Sequence, residues 1–328
     1  MHHRKILSTL LGAALVATFA LFAATASAQA WPAAKPLRVV VNFPPGGAAD
    51  VVARAVAVPL GEALSQQVIV ENRPGANGMI GADAVAKSAA DGYTLLMSSG
   101  GTVSVNPHLY PSMPFDAQKD IMPVAAAARV LVFLVVRPEV AARDVREFIA
   151  LARARPGKLT FGSPGNGSSP HIAAEMFKRA TATYMVHIPY RGAAPALTDL
   201  LGGQLDFMFD PGIGLQHVRS GKLRLLAVGS PKRSPLFPDT PTLAEAGLTG
   251  FDADSWFGFY APAGVPVEVV ARLNREINRS LGGGAVRERI LALGGEPAPM
   301  SPGEFNERQR ADRERFGAVI KAQGIKPD

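Results

Sequence analysis

The feature that most limits how this 328-residue chain can fold is a repeated alternation of short apolar runs with helical patterns. Leu37 to Phe43 is an almost continuous run of β-branched and large apolar residues, which is typical of a strand buried on both faces. Apolar residues at helical spacing follow it, namely Val52, Val56, Leu60 and Leu64. Because strands that alternate with helices form parallel sheets with right-handed crossovers, the sequence predicts an α/β fold.

Two long apolar runs without turn residues divide this pattern into two lobes. We interpret Val124 to Val136 and Ser255 to Ala261 as segments in which the chain crosses from one lobe to the other. The first lobe is then expected to comprise residues 29–130 plus 255–328, and the second lobe residues 131–254. Two lobes with parallel-rich sheets and two crossing strands leave a cleft between them.

Several local signals predict where individual helices begin and end. Pro59 and Gly61 lie inside the first helical pattern and predict a kink or an early end there. Asp144 with Glu147, and Ser301 with Glu304, have the spacing of capping boxes at helix starts. Helices over residues 266–281 and 301–322 are expected to close the chain.

The first 28 residues have the three-part pattern of a secretory signal peptide. Arg4 and Lys5 precede an apolar run from Ile6 to Ala24, and Ala26-Ser27-Ala28 supplies the small residues of a cleavage site. An uncleaved anchor is the alternative, because about 20 apolar residues can just span a bilayer. The cleavage site favours removal after Ala28 and a soluble, periplasmic chain that begins at Gln29.

Composition excludes several kinds of site. The chain has no cysteine, so disulfides, thiolate metal sites and cysteine nucleophiles are absent. Its 34 basic and 27 acidic residues are interspersed, which makes nucleic acid an unexpected partner. The histidines after the signal peptide stand singly, without the spacing of metal ligands, at His108, His171, His187 and His217. We therefore expect neither a metal nor a cofactor.

Glycine- and serine-rich loops follow three of the predicted strands, at Pro44 to Asp50, Ser98 to Thr102 and Ser163 to Ser169. In parallel α/β sheets, ligands bind outside the carboxyl ends of the strands. Glycine lets a ligand approach the backbone, and the free amides of a helix start favour an anion. Each loop alone could be an ordinary turn, but three at one edge predict a carboxylate site. The candidate residues are Pro45, Gly46, Gly47, Ala48, Ser98, Gly100, Asn166, Gly167, Ser168 and Ser169.

Two charged residues near this edge have open interpretations. Asp210 follows the apolar strand Leu205 to Phe209, where it either contacts the ligand or bound water, or caps the next helix. Arg191 either pairs with a second ligand carboxylate or is solvated. Asp50 is interpreted as tying down its own loop. Trp256 is interpreted as filling the core, with the floor of the cleft as the alternative.

Signatures of catalysis are missing from the sequence. It has no Gly-x-Ser-x-Gly elbow, P-loop or Gly-x-Gly-x-x-Gly fingerprint. Ser168 and His171 could be a nucleophile and its base, but their spacing at a helix start is explained more simply by helix capping. The sequence therefore predicts a binding protein, with a hydrolase as a remote alternative.

The chain after the signal peptide resembles the Bug receptors, which are the periplasmic substrate-binding components of tripartite tricarboxylate transporters. Long, ordered segments carry this resemblance, and they are residues 43–50 (FPPGGAAD), 71–78 (ENRPGANG), 91–96 (DGYTLL), 165–171 (GNGSSPH) and 189–197 (PYRGAAPAL).

The resemblance implies a type II periplasmic-binding-protein fold that closes on its ligand. It also implies that the loops at Gly46 to Ala48 and Gly167 to Ser169 hold one ligand carboxylate, partly through water. The family's usual Phe-Asp-Asn is Phe209-Asp210-Pro211 here, so the contact with the far end of the ligand is expected to differ.

By this resemblance the ligand is a small carboxylate: a mono- or dicarboxylate, an aromatic acid or an acidic amino acid. A monomeric receptor would deliver it to integral membrane transporter subunits. The alternative is a sensor that binds the same kind of ligand and contacts a signalling kinase.

Overall fold

The computed structural model of this protein describes residues 31–326. The predicted signal peptide and its cleavage site lie outside this range. Within it, no helix is both long and apolar enough to cross a membrane.

The first lobe is built on a sheet of mixed direction. Its strands are β1 (Leu37–Val41), β2 (Val68–Asn72), β3 (Thr94–Ser99), β4 (Ile121–Val130), β10 (Ser255–Pro262) and β11 (Glu296–Pro297). They lie in the order β11-β4-β10-β3-β1-β2. Strand β1 pairs in parallel with β2 and β3, and β10 runs antiparallel to β3 and β4. The carboxyl ends of β1 and β3 therefore lie side by side at one edge.

The second lobe repeats this arrangement. Its strands are β5 (Phe133–Val136), β6 (Thr160–Ser163), β7 (Val186–Pro189), β8 (Phe207–Asp210) and β9 (Arg224–Val228). Their order is β7-β6-β8-β5-β9, with β6 parallel to β7 and β8 and with β5 antiparallel to β8 and β9. Each lobe thus has three neighbouring parallel strands beside one antiparallel strand. The predicted two-lobed α/β architecture is confirmed.

Helices cover both faces of these sheets. They are α1 (Ala48–Leu64), α2 (Met79–Ala86), α3 (Asn106–Leu109), α4 (Val145–Ala154), α5 (Ser169–Thr181), α6 (Ala193–Leu201), α7 (Leu215–Arg219), α8 (Val267–Leu281), α9 (Gly284–Ala292) and α10 (Pro302–Gln323). A 3₁₀ turn (Ala76–Gly78) precedes α2, and a π-helix (Gly101–Val105) precedes α3. On β1, Val39 packs toward α1 and α8 while Val40 packs toward α2, because successive strand side chains point to opposite faces.

The long apolar run from Val124 to Val136 belongs to both lobes. Its first part lies in β4 of the first sheet and its last part is β5 of the second sheet, so the chain crosses at Leu131 and Val132. Ser255 to Ala261 forms most of β10 in the first sheet, where it pairs with β4. The exact lobe boundaries at residues 130 and 254 stay predictions.

One of the two alternatives expected at Pro59 was wrong, and one helix was missed. Helix α1 does not end early at Pro59 but continues to Leu64. Gly61 has a packing reason: a Cβ there would lie 2.9 Å from the carbonyl oxygen of Gln66, so the chain that leads into β2 lies directly against the helix. Helix α9 was not expected, since its start at Gly283 and Gly284 looks like a turn in the sequence.

Both predicted helix caps are present. The Asp144 side chain accepts a hydrogen bond from the Glu147 amide at 2.8 Å. At α10, the Ser301 hydroxyl accepts from the Glu304 amide, and the Glu304 carboxylate accepts from the Ser301 amide.

We expect Ser301→Ala to lower the free energy of unfolding by about 1 kcal/mol, because an alanine leaves the Glu304 amide without its acceptor. Urea denaturation followed by circular dichroism would measure this loss. Ser301→Asp keeps a capping acceptor and is the matched control. Equal stability of the alanine variant and the parent would contradict the capping role.

Candidate ligand-binding site

A cleft lies between the two lobes, and residues from both lobes line it. The starts of α1, α5 and α6 border the cleft. Among residues 31–326, none of those that line the cleft has an ionisable side chain. Any charge on a ligand must therefore be met by backbone dipoles and hydroxyl groups.

The start of α1 contributes Gly47, Ala48 and Ala49 to the cleft. Helix bonding begins with the Val51 amide, which donates to the Gly47 carbonyl at 3.0 Å, so the preceding amides have no acceptor within the helix. Asp50 lies in this first turn, and its charge is paired with Arg54 on the same helix. Its carboxylate accepts bonds from the Gly46 amide and from the side chains of Arg54 and Asn72.

The pKa of Asp50 shows how firmly its carboxylate is held. Burial acts to raise this pKa, but hydrogen bonds from Arg54, Gly46 and Asn72 and the charge of Arg54 outweigh burial and lower it. The predicted role of Asp50 in tying down its own loop agrees with this geometry.

The start of α5 faces the cleft from the second lobe with Ser168, Ser169 and Pro170. The Ser168 hydroxyl is the cap of this helix: it accepts from the His171 amide at 3.4 Å and donates to the Gly165 carbonyl at 2.7 Å. Because Pro170 has no N–H, the Ser169 amide is the free donor of this first turn.

The start of α6 is a third helix end at the cleft, which sequence reasoning did not single out. Ala193 and Ala194 line the cleft, and the first turn of α6 carries no acidic residue. The chain before it lies against the first lobe, since a Cβ on Gly192 would be 2.8 Å from Cγ of Pro44. The sequence feature that could have indicated this helix start is the glycine at residue 192, between β7 and α6.

Two buried hydroxyl groups in the cleft have no hydrogen-bond partner within the described chain. They belong to Ser169 at the start of α5, which is 5% exposed, and Ser255 at the start of β10, which is 1% exposed. A buried hydroxyl without a partner is unfavourable, and a ligand atom or water can satisfy it. Ser255 was missed because it begins a segment that the sequence shows as an apolar crossing strand.

The rest of the cleft is mainly apolar. We call Phe43, Val130, Val132, Pro211 and Phe257 the apolar wall. Three of these residues lie on or between the strands near the crossing, where their apolar character looks like ordinary core in the sequence. A ligand that fits this cleft is expected to place carbon atoms against the wall.

Among the predicted residues, Pro45, Gly47, Ala48, Ser168 and Ser169 line the cleft, and others lie behind it. The Gly46 amide donates a hydrogen bond to Oδ2 of Asp50 at 3.0 Å. The Ser98 hydroxyl accepts from Asn42 and donates to the Ser99 carbonyl, and it is Ser99 that lines the cleft. Gly100 lies beside Ser255, whose Oγ would be 3.3 Å from a Cβ on that glycine.

Asn166 and Gly167 contact the opposite lobe. The Tyr110 hydroxyl donates to the Asn166 carbonyl at 3.4 Å. A Cβ on Gly167 would lie 2.6 Å from Cδ1 of Leu109 and 2.8 Å from Nδ2 of Asn77. The two lobes therefore touch across the cleft, and glycine at residue 167 makes this close approach possible.

Arg191 and Asp210 do not line the cleft. Arg191 is exposed in a neighbouring pocket that shares Phe43, Pro44 and Pro164 with the cleft. Asp210 is fully buried, and its Oδ2 accepts from the amides of Gly212 and Gly214 before α7. Asp210 therefore holds the loop before α7, whose cap residue Gly214 has no side-chain cap bond, and its Oδ1 has no partner within the described chain, so both interpretations that the sequence left open stay predictions.

Ser168 and His171 are not arranged as a nucleophile and its base. Nδ1 of His171 accepts from the Gly167 amide at 3.0 Å, and Ser168 contacts the backbone amide of His171 instead of its ring. Burial, followed by the charges of His187 and Lys178, lowers the pKa of His171 to about 3. Between residues 31 and 326, no group of three or more His, Asp or Glu side chains is arranged to hold a metal ion.

The chain matches a protein-family model, "Tripartite tricarboxylate transporter family receptor", over residues 52–325. Protein BugT of Bordetella pertussis is 40% identical over 321 residues, which cover 95% of this chain and 98% of that protein.

Solved structures are similar over nearly the whole described chain. R. palustris Rpa4515 with adipate has a TM-score of 0.87 and 35% identity, and the match covers 91% of this chain and 100% of that chain. MatC from Rhodopseudomonas palustris with bound malate has a TM-score of 0.84 and 32% identity, over 88% of this chain and 99% of that chain. The predicted resemblance to Bug receptors and the periplasmic-binding-protein fold are confirmed.

Asp210 provides a pH-dependent test of this geometry. Burial raises its pKa to about 7, although bonds from the amides of Gly214, Gly212 and Ile213 act in the opposite direction. The folded state therefore binds the proton more tightly than the unfolded state, whose carboxyl pKa is near 3.8. The stability that this proton contributes is complete below about pH 4 and is lost as the pH rises to about 7.

We expect Asp210→Asn, which cannot lose this proton, to gain stability relative to the parent as the pH rises over that range. Free energies of unfolding of both proteins from pH 4 to pH 8 would measure the difference. Other buried acids, such as Asp312 with its pKa raised to about 6, affect both proteins equally. If the free energies of unfolding of the two proteins changed in parallel with pH, a buried Asp210 with a raised pKa would be contradicted.

Proposed function

The chain belongs to the receptor family of tripartite tricarboxylate transporters, and we propose that it is a periplasmic receptor that binds a small carboxylate in the cleft. On this proposal the chain is exported, the two lobes close on the ligand, and the loaded form delivers the ligand to integral membrane transporter subunits.

One observation carries the proposal: the starts of α1, α5 and α6 meet at a cleft whose lining has no ionisable side chain in the described chain. Each helix end has the equivalent of about half a positive charge and stabilises a nearby anion by about 0.3–1 kcal/mol. Amides fixed in a closed cleft need no rearrangement when the anion binds. This arrangement of amides is therefore suited to binding a carboxylate from aqueous solution.

Two relatives support a carboxylate ligand. The structure of Rpa4515 contains adipate and that of MatC contains malate, and both resemble this chain over most of its length. The positive ends of the helices in this cleft fit the chemistry that those two acids share.

Contacts between the lobes support closure around the ligand. Pro44 lies against Gly192 at one place, and Leu109 and Asn77 lie against Gly167 at another. A ligand that touches α1 in one lobe and α5 in the other binds the closed form better than the open form. Such a ligand shifts the population toward the closed form, which the membrane subunits can then distinguish.

A binding role without catalysis fits the contacts of Ser168. Its hydroxyl is occupied as a helix cap, and the ring of His171 is bonded to the Gly167 amide. Neither group is arranged to attack a bound ligand.

We expect at least one carboxylate in a panel of aliphatic and aromatic acids to raise the melting temperature of the purified protein. A ligand at a hundred times its Kd adds about 2.7 kcal/mol to the free energy of unfolding. The corresponding neutral amides, such as hexanamide for hexanoate, are the matched controls. If no acid raised the melting temperature, or if the amides matched the acids, the proposed function would be wrong.

Gly167→Ala tests whether the lobes close on the ligand. The added methyl group collides with Leu109 and Asn77 only when the lobes are closed, so we expect affinity for the bound acid to fall at least about tenfold. Gly203→Ala is the matched control, because Gly203 has nearly the same φ, +78° against +80°, and nothing lies within 4 Å of its Cβ position.

Calorimetric titration gives the affinities, and X-ray scattering gives the radius of gyration with and without ligand. The parent and Gly203→Ala are expected to become more compact on binding, and Gly167→Ala is expected to do so less. Equal affinity and equal compaction in the two glycine variants would show that the contacts at Gly167 do not form in the ligand-bound protein.

A further inference from the structure

The chemistry of the cleft restricts which carboxylates it can hold. We infer that the ligand is a monocarboxylate with an uncharged, largely apolar body, and that Ser255 donates one of the hydrogen bonds to its carboxylate. This inference rests on the proposed function, since it specifies the substrate class of the same cleft.

A positively charged group on the ligand would have no acidic partner in the cleft. No acidic side chain lines the cleft within the described residues. Neither Asp50 nor Asp210 is among the lining residues: Asp50 is bonded to Gly46 and Asn72, and Asp210 is fully buried with its Oδ2 bonded to the amides of Gly212 and Gly214. An ammonium group would also lie close to positive helix ends, which repel it. The cleft therefore disfavours amino acids.

A second carboxylate on the ligand would also lack hydrogen-bond partners in the cleft. Apart from the hydroxyl groups of Ser99 and Ser255, the hydrogen-bond donors of the cleft are at the helix starts, and the remaining lining residues are apolar. Proline supplies much of the surface around these donors, and it has no N–H to offer. The prolines concerned are Pro44, Pro45, Pro164, Pro170 and Pro211. A second charge placed against this surface would lose its water without gaining partners, which is strongly unfavourable.

Ser169 and Ser255 provide the donors that a single carboxylate needs besides the amides. Both hydroxyl groups line the cleft, both are at least nine-tenths buried, and neither has a partner in the described chain. They belong to different lobes, because Ser169 begins α5 and Ser255 begins β10. A carboxylate with two oxygen atoms can accept from both and thereby connect the lobes.

The position of Ser255 supports this shared role. Its Oγ would lie 3.3 Å from a Cβ on Gly100, and Cα of Ser168 would lie 3.6 Å from a Cβ on Gly101. Ser255 and the start of α5 therefore border the same glycine pair. A carboxylate at the start of α5 lies on the side of the cleft that also contains Ser255.

Acids with the same carbon chain but different charges test whether a second charged group weakens binding. We expect hexanoate and monomethyl adipate to bind at least about tenfold more tightly than adipate and norleucine, because the last two place a second charge where it has no partner. The same comparison with 3-phenylpropionate and phenylalanine covers an aromatic body. Calorimetric titration at pH 7 gives each Kd.

Ser255→Ala tests the named donor. We expect its affinity for the preferred monocarboxylate to fall by about ten- to a hundredfold, which is typical of a lost hydrogen bond to a charged group. The melting temperature without ligand is expected to be unchanged or higher, because the variant removes a buried hydroxyl that has no partner. Ser280→Ala is the matched control, since the Ser280 hydroxyl is bonded to Ile277 on α8, outside the cleft.

The outcomes separate this inference from the proposed function. If no acid of any kind binds, the proposed function fails. If adipate or norleucine binds more tightly than hexanoate, the proposed function stands and the monocarboxylate inference is overturned. A preference for adipate that disappears in Arg191→Gln would show that Arg191 holds a second carboxylate. Unchanged affinity in Ser255→Ala, or a lowered melting temperature without ligand, would overturn the role of Ser255.

Discussion

Unpaired backbone amides at the starts of helices are the constraint on which the site in this protein depends. The first turn of a helix has donors that the helix itself cannot satisfy, and they carry the positive end of its dipole. In this chain, α1, α5 and α6 bring such turns to one cleft. The fold determines this convergence, because each of these helices follows the carboxyl end of a parallel strand. A ligand carboxylate can therefore be recognised without a cationic side chain.

The same constraint explains the residues around the helix starts. Glycines allow the two lobes to touch, as at Gly167 against Leu109 and at Gly192 against Pro44. Asp50 holds the loop before α1 from behind, where its charge is paired with Arg54. The apolar wall offers no hydrogen-bond partners from its side chains, and amides act more strongly on an anion in apolar surroundings. These features fit the proposed closure of the two lobes on one small acid.

Much of the fold was predictable, because the strands and helices have clear periodicity and turn residues separate them. The glycine-rich loops after β1 and β6 were predictable as site residues for the same reason, since glycine and serine at strand ends are visible in sequence. Ser98 shows the limit of this reasoning. Neighbouring residues of a strand point to opposite faces, so Ser98 bonds to Asn42 while Ser99 lines the cleft.

Other parts of the site depend on how the lobes meet, which local sequence does not encode. Val130, Val132 and Phe257 look like core residues until the crossing strands place them beside the cleft. Ser255 acquires its significance only from its burial and its missing partner. Asp210 looks equally suited to ligand contact and to capping in the sequence, whereas in the structure its Oδ2 holds the loop before α7 through the amides of Gly212 and Gly214. Sequence alone could not weigh these alternatives, because each depends on long-range packing.

We propose that helix-start amides and cleft hydroxyl groups hold the carboxylate. A crystal structure of the protein with its tightest-binding acid would show which groups contact the carboxylate. We predict carboxylate oxygens within about 2.7–3.2 Å of backbone amides at the starts of α1 and α5. A carboxylate paired with Arg191 in the neighbouring pocket, with the cleft amides facing only water, would contradict this proposal.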